Sequence, residues 1–211
     1  MIPIHELLWF ALAALLMVIS PGPNMIYLIS RSITQGKTAG LVSLLGVING
    51  FLFHIVLAGF GLTAILLAVP FAYGILKILG AIYLLYLAYQ AIKPNDKTFF
   101  EVNGHVPKDR PRKLFLMGFF TNALNPKMAV FYLSFFPQFI KAEYGSIFGQ
   151  SMILGITQII ISFTINFIIV MTAAKMASFL TKNPLWVKVQ KWFMASILTI
   201  LAIKMVLLKA K

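Results

Sequence analysis

Lys127 sets the most demanding chemical requirement in this chain, because it sits about thirteen residues from either end of the apolar run Leu114 to Ile140. An ammonium there is about 20 Å along a helix from each end, and on insertion scales it costs about 2.5–3.5 kcal/mol at such depth. It is therefore expected to face a cavity. The lysine follows a break, Asn122-Ala123-Leu124-Asn125-Pro126, and a second break, Ser20-Pro21-Gly22-Pro23-Asn24, interrupts the apolar run from Glu6 to about Ser30. Proline lacks a donor N–H and disfavours the helical region for the residue before it, so both helices are expected to open. Pro23 or Asn24 suits the start of a new half-helix, and Asn125 suits an N-cap with Pro126 at the first helical position. Unsatisfied N–H groups and the positive end of a dipole at each restart would hold an anion, and a substrate carboxylate is the obvious one. The substrate-binding candidates are thus Pro21, Gly22, Pro23, Asn24, Asn122, Asn125, Pro126 and Lys127. The competing reading makes the prolines ordinary kinks and Lys127 a structural lysine bonded to carbonyls freed by the broken helix.

Further polar groups lie within the apolar runs. Gln158, Ser162 and Asn166 are spaced by four and share one helix face, which fits cavity lining or helix–helix hydrogen bonding. Asn49 is a further lining candidate. His54 is a candidate proton carrier because imidazole titrates near neutrality, with a packed, satisfied histidine as the alternative. Gly46 and Gly50 form a Gly-x-x-x-Gly that allows close helix contact. No motif of a hydrolase, phosphate-binding loop or metalloprotease is present, and His5, His54 and His105 are too scattered to propose a metal site. No enzyme activity and no cofactor are expected.

The elements that must position these groups follow from composition. With 60% hydrophobic and 11% charged residues over 211 positions, the chain has too much apolar surface for a soluble domain. A window of about twenty residues gives six spans, Leu7–Ser30, Leu41–Val69, Phe71–Ile92, Leu114–Ile140, Ile147–Ala173 and Val189–Leu208. The formal charge of +13 does not indicate nucleic acid, since the basic residues lie mostly between the spans. One set of alternate loops carries twelve of them and the other four, which places both termini outside the cytoplasm and the Lys93 to Lys113 loop inside. The first apolar run reads as a retained helix and not a signal peptide.

The polar stretch divides the chain into residues 1–93, a linker over 94–113, and residues 114–211. Three spans on either side force the second half to lie inverted relative to the first. Pro23-Asn24-Met25-Ile26-Tyr27-Leu28 echoes Pro126-Lys127-Met128 followed by Phe131-Tyr132-Leu133, with two extra residues. Gly40, Gly46 and Asn49 have counterparts at Gly149, Gly155 and Gln158. The expected fold is an all-α membrane protein of six transmembrane helices, an inverted repeat of two three-helix halves with helices 1 and 4 broken by proline.

The run Ser20 to Asn24, the pattern Leu76-Lys77, Gly80-Ala81, Tyr83-Leu84, and the stretch Gly118-Phe119 through Asn122, Asn125-Pro126-Lys127, Phe131 and Phe136-Pro137-Gln138-Phe139 resemble the LysE/RhtB family of bacterial amino-acid exporters. The resemblance runs in order through essentially the whole chain. It implies an inner-membrane protein that expels amino acids or close derivatives, coupled to protons, and a homo-oligomer. Direction and coupling do not follow from the residues themselves, and no Asp or Glu is buried beyond Glu6 at the edge of the first span. An inorganic ion carrier or channel of the same fold, and a non-transporting membrane scaffold, stay open on the residues alone.

Overall fold

The computed structural model describes residues 2–20, 22–68, 70–93, 108–182 and 184–207. Pro21, His105 and most of the 94–113 linker therefore lie outside the described residues. Every regular element among those described is helical: α1 (Ile4–Ile19), α2 (Pro23–Gln35), α3 (Lys37–Ala68), α4 (Pro70–Ile92), α5 (Pro111–Ala123), α6 (Pro126–Val130), α7 (Ile147–Lys182) and α8 (Pro184–Leu207). After α6 the chain continues as a π-helical turn (Phe131–Phe135) and a 3-10 turn (Phe136–Phe139). Proline opens α2, α4, α5, α6 and α8, at the position where its missing N–H removes no helical bond.

Two stretches among the described residues are long and apolar enough to cross a membrane, Lys37–Phe60 and Ile147–Lys175. The pair α1 and α2 makes a third if taken as one bent span, its axes differing by 52°. Large apolar side chains cover the outside, including Leu8, Phe60, Ile82, Tyr89, Ile160 and Ile200. That is the surface expected where the solvent is lipid and not water.

Helix α3 lies against α5, α7 and α2, and α4 lies against α8. The α3–α5 contact is backbone on backbone. A Cβ added at Gly46 would overlap the Phe115 carbonyl oxygen, and one at Gly118 would overlap that of Ser43. The Gly-x-x-x-Gly of α3 is thus used within the chain. This close approach lets the Asn122 side chain of α5 donate to the Val47 carbonyl at 2.6 Å, and lets the Asn122 carbonyl meet His54 Nε2 at 3.1 Å. The Tyr27 hydroxyl of α2 donates to the Leu114 carbonyl at 2.8 Å, tying a third helix to the same seam.

The core is aromatic where α1 meets the chain after α6. Phe10 packs edge-on against Phe136 and Phe139 and tilted against Phe131, with ring centroids 5.3–5.9 Å apart. His54 stacks flat on Tyr132, 5.2 Å between centroids. The i→i+5 bonding of the π-helical turn takes one more residue per turn than 3.6-residue geometry. It falls just after the two residues, Ala129 and Val130, that the second half has in excess in the sequence echo.

Candidate functional site

Ile19 ends α1 and Pro23 begins α2, while Ala123 ends α5 and Pro126 begins α6, and the two interruptions lie side by side. Lys127 Nζ donates to the Ser20 carbonyl at 2.6 Å, and Asn125 Nδ2 donates to Asn24 Oδ1 at 3.2 Å. Asn24, Asn125 and Lys127 are all buried, Lys127 at 5% exposure. Residues about a hundred positions apart in sequence thereby form one polar cluster inside an apolar bundle.

The two restarts differ in how their N–H groups are satisfied. Asn125 caps α6, its Oδ1 accepting from Lys127 N at 3.0 Å, as the spacing Asn-Pro-Lys leads one to expect. Helix α2 begins at Gly22, which has no side chain, and no side chain caps it. In this first turn Pro23 has no N–H and Ile26 N bonds to the Gly22 carbonyl, so the N–H groups of Asn24 and Met25 are those left without a partner among the described residues, at the positive end of the dipole. A Cβ built on Gly22 would lie 3.4 Å from Lys127 Cδ and 3.5 Å from its Nζ. The ammonium and the uncapped helix start are thus neighbours. Among the described residues Lys127 makes no ion pair, and the described ion pairs involve only Glu6 and Asp109 on the acidic side.

A cavity of about 20 Å³ opens on this cluster, lined by Ser20, Gly22, Asn24, Asn125, Lys127, Ser162 and Asn166 together with Met17, Met25, Phe51 and Met128. That volume holds about one water molecule. Ser20 Oγ is buried without a hydrogen-bond partner among the described residues. Asn166 Nδ2 donates to both the carbonyl and Oγ of Ser162, at 2.8 and 3.1 Å.

Most of the sequence candidates meet here: Gly22, Asn24, Asn125, Lys127, Ser162 and Asn166 line the cavity, and Pro23 and Pro126 start the two helices beside it. Asn122 and His54 sit behind the cluster in the α3–α5 seam. Gln158 is fully buried with neither amide atom partnered among the described residues. Asn49 is exposed and donates to the Leu45 carbonyl of its own helix, so it does not join the cavity. Asn49 and Gln158, counterparts in the sequence echo, thus occupy opposite environments. The apolar lining was not anticipated, although Met25 and Met128 follow Asn24 and Lys127 at equivalent places in the echo and could have been read from it.

The family described as LysE type translocator matches residues 15–209. The homoserine/homoserine lactone efflux protein of Salmonella typhimurium is 33% identical over 159 residues, 74% of this chain and 76% of that protein. The protein of the same name from Salmonella typhi is 34% identical over 155 residues, covering 72% and 74%. An uncharacterized membrane protein of Vibrio cholerae is 28% identical over 192 residues, covering 90% and 91%. No solved structure gives a match.

Proposed function

The chain belongs to the LysE type translocator family, and from that premise we propose that it exports a small amino acid or close derivative across the bacterial inner membrane, with the carboxylate held by Lys127 and the start of α2. Membership in a family of translocators makes it a membrane transporter and not an enzyme. The relatives named as homoserine/homoserine lactone efflux proteins support a cargo of amino-acid type and outward transport.

One observation carries the site assignment. A buried ammonium, with the Ser20 carbonyl as its hydrogen-bond partner, and an uncapped helix start, two positive groups, lie together in a cavity whose described lining holds no carboxylate. A carbonyl dipole satisfies one N–H of the ammonium but leaves its net charge uncompensated, and unpaired buried charge is costly. A carboxylate entering the cavity would supply the missing charge and accept from the first-turn N–H groups of α2. The bond to Ser20 is then the resting contact that substrate displaces. Asn24, Ser162 and Asn166 are the hydrogen-bonding groups left for the amine and side chain.

A cavity the size of one water cannot hold an amino acid, so transport requires the halves to move. In this reading six spans form an inverted repeat, residues 1–93 and 114–211 joined by a cytoplasmic linker over 94–113, and one half rocks against the other around the cluster. Both termini then lie outside the cytoplasm. Coupling to protons would use Lys127 or His54, and a homo-oligomer would use the exposed apolar faces.

Efflux from cells supplied with dipeptides tests the reading, with each released amino acid quantified for the wild type and for Lys127→Ala at matched membrane levels. Faster release of particular amino acids, abolished by the substitution, is the expected result. Release no different from cells lacking the protein would overturn it. Competition by free amino acids but not by their amides would confirm that the carboxylate is what binds, whereas inhibition by inorganic anions alone would identify an ion carrier.

A further inference from the structure

Two ion-pair clusters hold the α1–α2 arm at its two ends, one to Lys141 of the second half and one to Asp109 at the end of the linker, and neither belongs to the cavity. Near the start of α1, Glu6 Oε1 accepts from Lys141 Nζ at 2.7 Å, and Lys141 also donates to the Tyr144 hydroxyl at 3.1 Å. Near the end of α2, Arg31 Nη1 donates to Asp109 Oδ2 at 3.0 Å, with Gln35 and Lys113 on the same carboxylate. The contacts run antiparallel: along the first arm the order is Glu6, Ser20, Arg31, and their partners are Lys141 and Lys127 of the second half and Asp109 at the end of the linker before it. With Glu6 and Arg31 25 positions apart, the two clusters lie at opposite ends of the bent pair, with the cavity between them.

Their placement is also reciprocal. Glu6 precedes Pro23 by 17 residues and Asp109 precedes Pro126 by 17. Each carboxylate thus stands at the same distance before one break, and each pairs with a cation that follows the other. Each cation also lies over a tyrosine ring of its own half, Arg31 over Tyr27 at 5.6 Å and Lys141 over Tyr144 at 5.1 Å. All four charged groups are partly shielded, with side-chain exposures of 12% to 35%. A shielded pair with further hydrogen bonds is worth more than an exposed one, yet it can reopen to water within the energy a bound ligand supplies.

We propose that Glu6–Lys141 and Arg31–Asp109 are the two gates of the transport path, one on each face of the membrane, and that this structure has both closed. This rests on the alternating-access reading above. Opening one gate while the other holds exposes the Lys127 cluster to one side only. The two positioning pairs touch no substrate; they set which face the site opens to.

Because the chain has no cysteine, Ser162→Cys can report access to the cavity by its rate of modification with a membrane-impermeant methanethiosulfonate reagent applied from either side of oriented vesicles. Asp109→Asn or Arg31→Gln is expected to raise that rate about threefold or more from the face bearing those residues alone, and Glu6→Gln from the opposite face alone. Exchanging the charges, Arg31→Asp with Asp109→Arg, is expected to restore the low rate. Rates unchanged from both faces, rates raised on the same face by both sets, or a charge-exchanged protein that labels like its single variants would each overturn the gates. The reporter needs no cargo. Face-specific labelling of the reporter with no efflux of any amino acid by the wild-type protein would leave the gates standing and sink the exporter, while wild-type efflux with labelling indifferent to these substitutions would do the reverse.

Discussion

The two helix breaks differ in how the new helix is capped, although each leaves one buried side-chain oxygen unpartnered among the described residues, Ser20 Oγ at the first and Asn122 Oδ1 at the second. At Asn122–Lys127 the chain closes on itself: Asn125 caps the new helix, Asn122 donates to α3, and its carbonyl meets His54. At Ser20–Asn24 the helix begins at a glycine with no cap, and Ser20 Oγ has no partner among the described residues. The difference teaches that a break does not by itself make a binding site. Asparagine in the capping position occupies the donors that a ligand would need, whereas glycine leaves them free beside Lys127. The second break contributes its cation, the first its backbone, and the proposed site exists only where they meet.

Removing the cation should separate the two breaks most strongly. Lys127→Ala is expected to lower efflux about 10- to 100-fold at saturating wild-type cargo, since hydrogen bonds to charged groups are worth about 1.5–3 kcal/mol, and transport assays at matched membrane levels measure it. Wild-type efflux in that variant would mean that the uncapped α2 start suffices alone. Next in size, Gly22→Ala places a methyl in van der Waals contact with the lysine stem while its extended backbone (φ −173°) tolerates alanine. Cargo affinity should fall about 3- to 10-fold with melting temperature little changed, by analogy with a lost contact of about 1 kcal/mol. Asn125→Ala should show the converse pattern. The lost cap costs about 1 kcal/mol of stability, and thermal unfolding in detergent should register it more clearly than efflux does.

The smallest effect lies beyond the first break, at the end of α2. Hydrogen bonds from Lys113 and Gln35, with the nearby positive charge of Lys113 and Arg31, hold the Asp109 carboxyl below its ordinary pKa. A depressed folded pKa gives stability that is fully present above the unfolded value and lost as pH falls through the folded one. Melting temperatures of the wild type and Asp109→Asn should therefore differ at neutral pH and converge in acid, below the usual carboxylate range. A gap independent of pH would show that Asp109 acts through shape and not charge. At the other end, Glu6 and the Tyr144 hydroxyl hold the Lys141 ammonium above its usual pKa, so that pair should persist through alkaline conditions that begin to neutralise ordinary lysines.

Much of the site was legible in the sequence because proline and asparagine act through local backbone rules. Pro126 after Asn125 specifies a capped restart wherever it stands, and a lysine thirteen residues deep in an apolar run needs a polar partner whatever the topology. The pairing of the breaks was legible for the same reason. Asn49 shows where such reading stops: it resembles Gln158 in type and register, yet one faces outward and the other is fully buried. Which side of a uniformly apolar helix faces its neighbours cannot be read from periodicity when lipid and protein interior are equally apolar.

By itself, then, the sequence determined an all-helical membrane chain of LysE type, with a lysine deep in one of its apolar runs. Only the tertiary structure decided that Asn125 seals its own helix while Gly22 leaves the other open, that Ser20 is the lysine's partner, and that Glu6 and Asp109 reach cations far away in the sequence, Lys141 and Arg31. The physical reason is range. Capping and proline effects act within one turn of the chain, but charge compensation between groups some 80 to 135 residues apart depends on how helices are brought together.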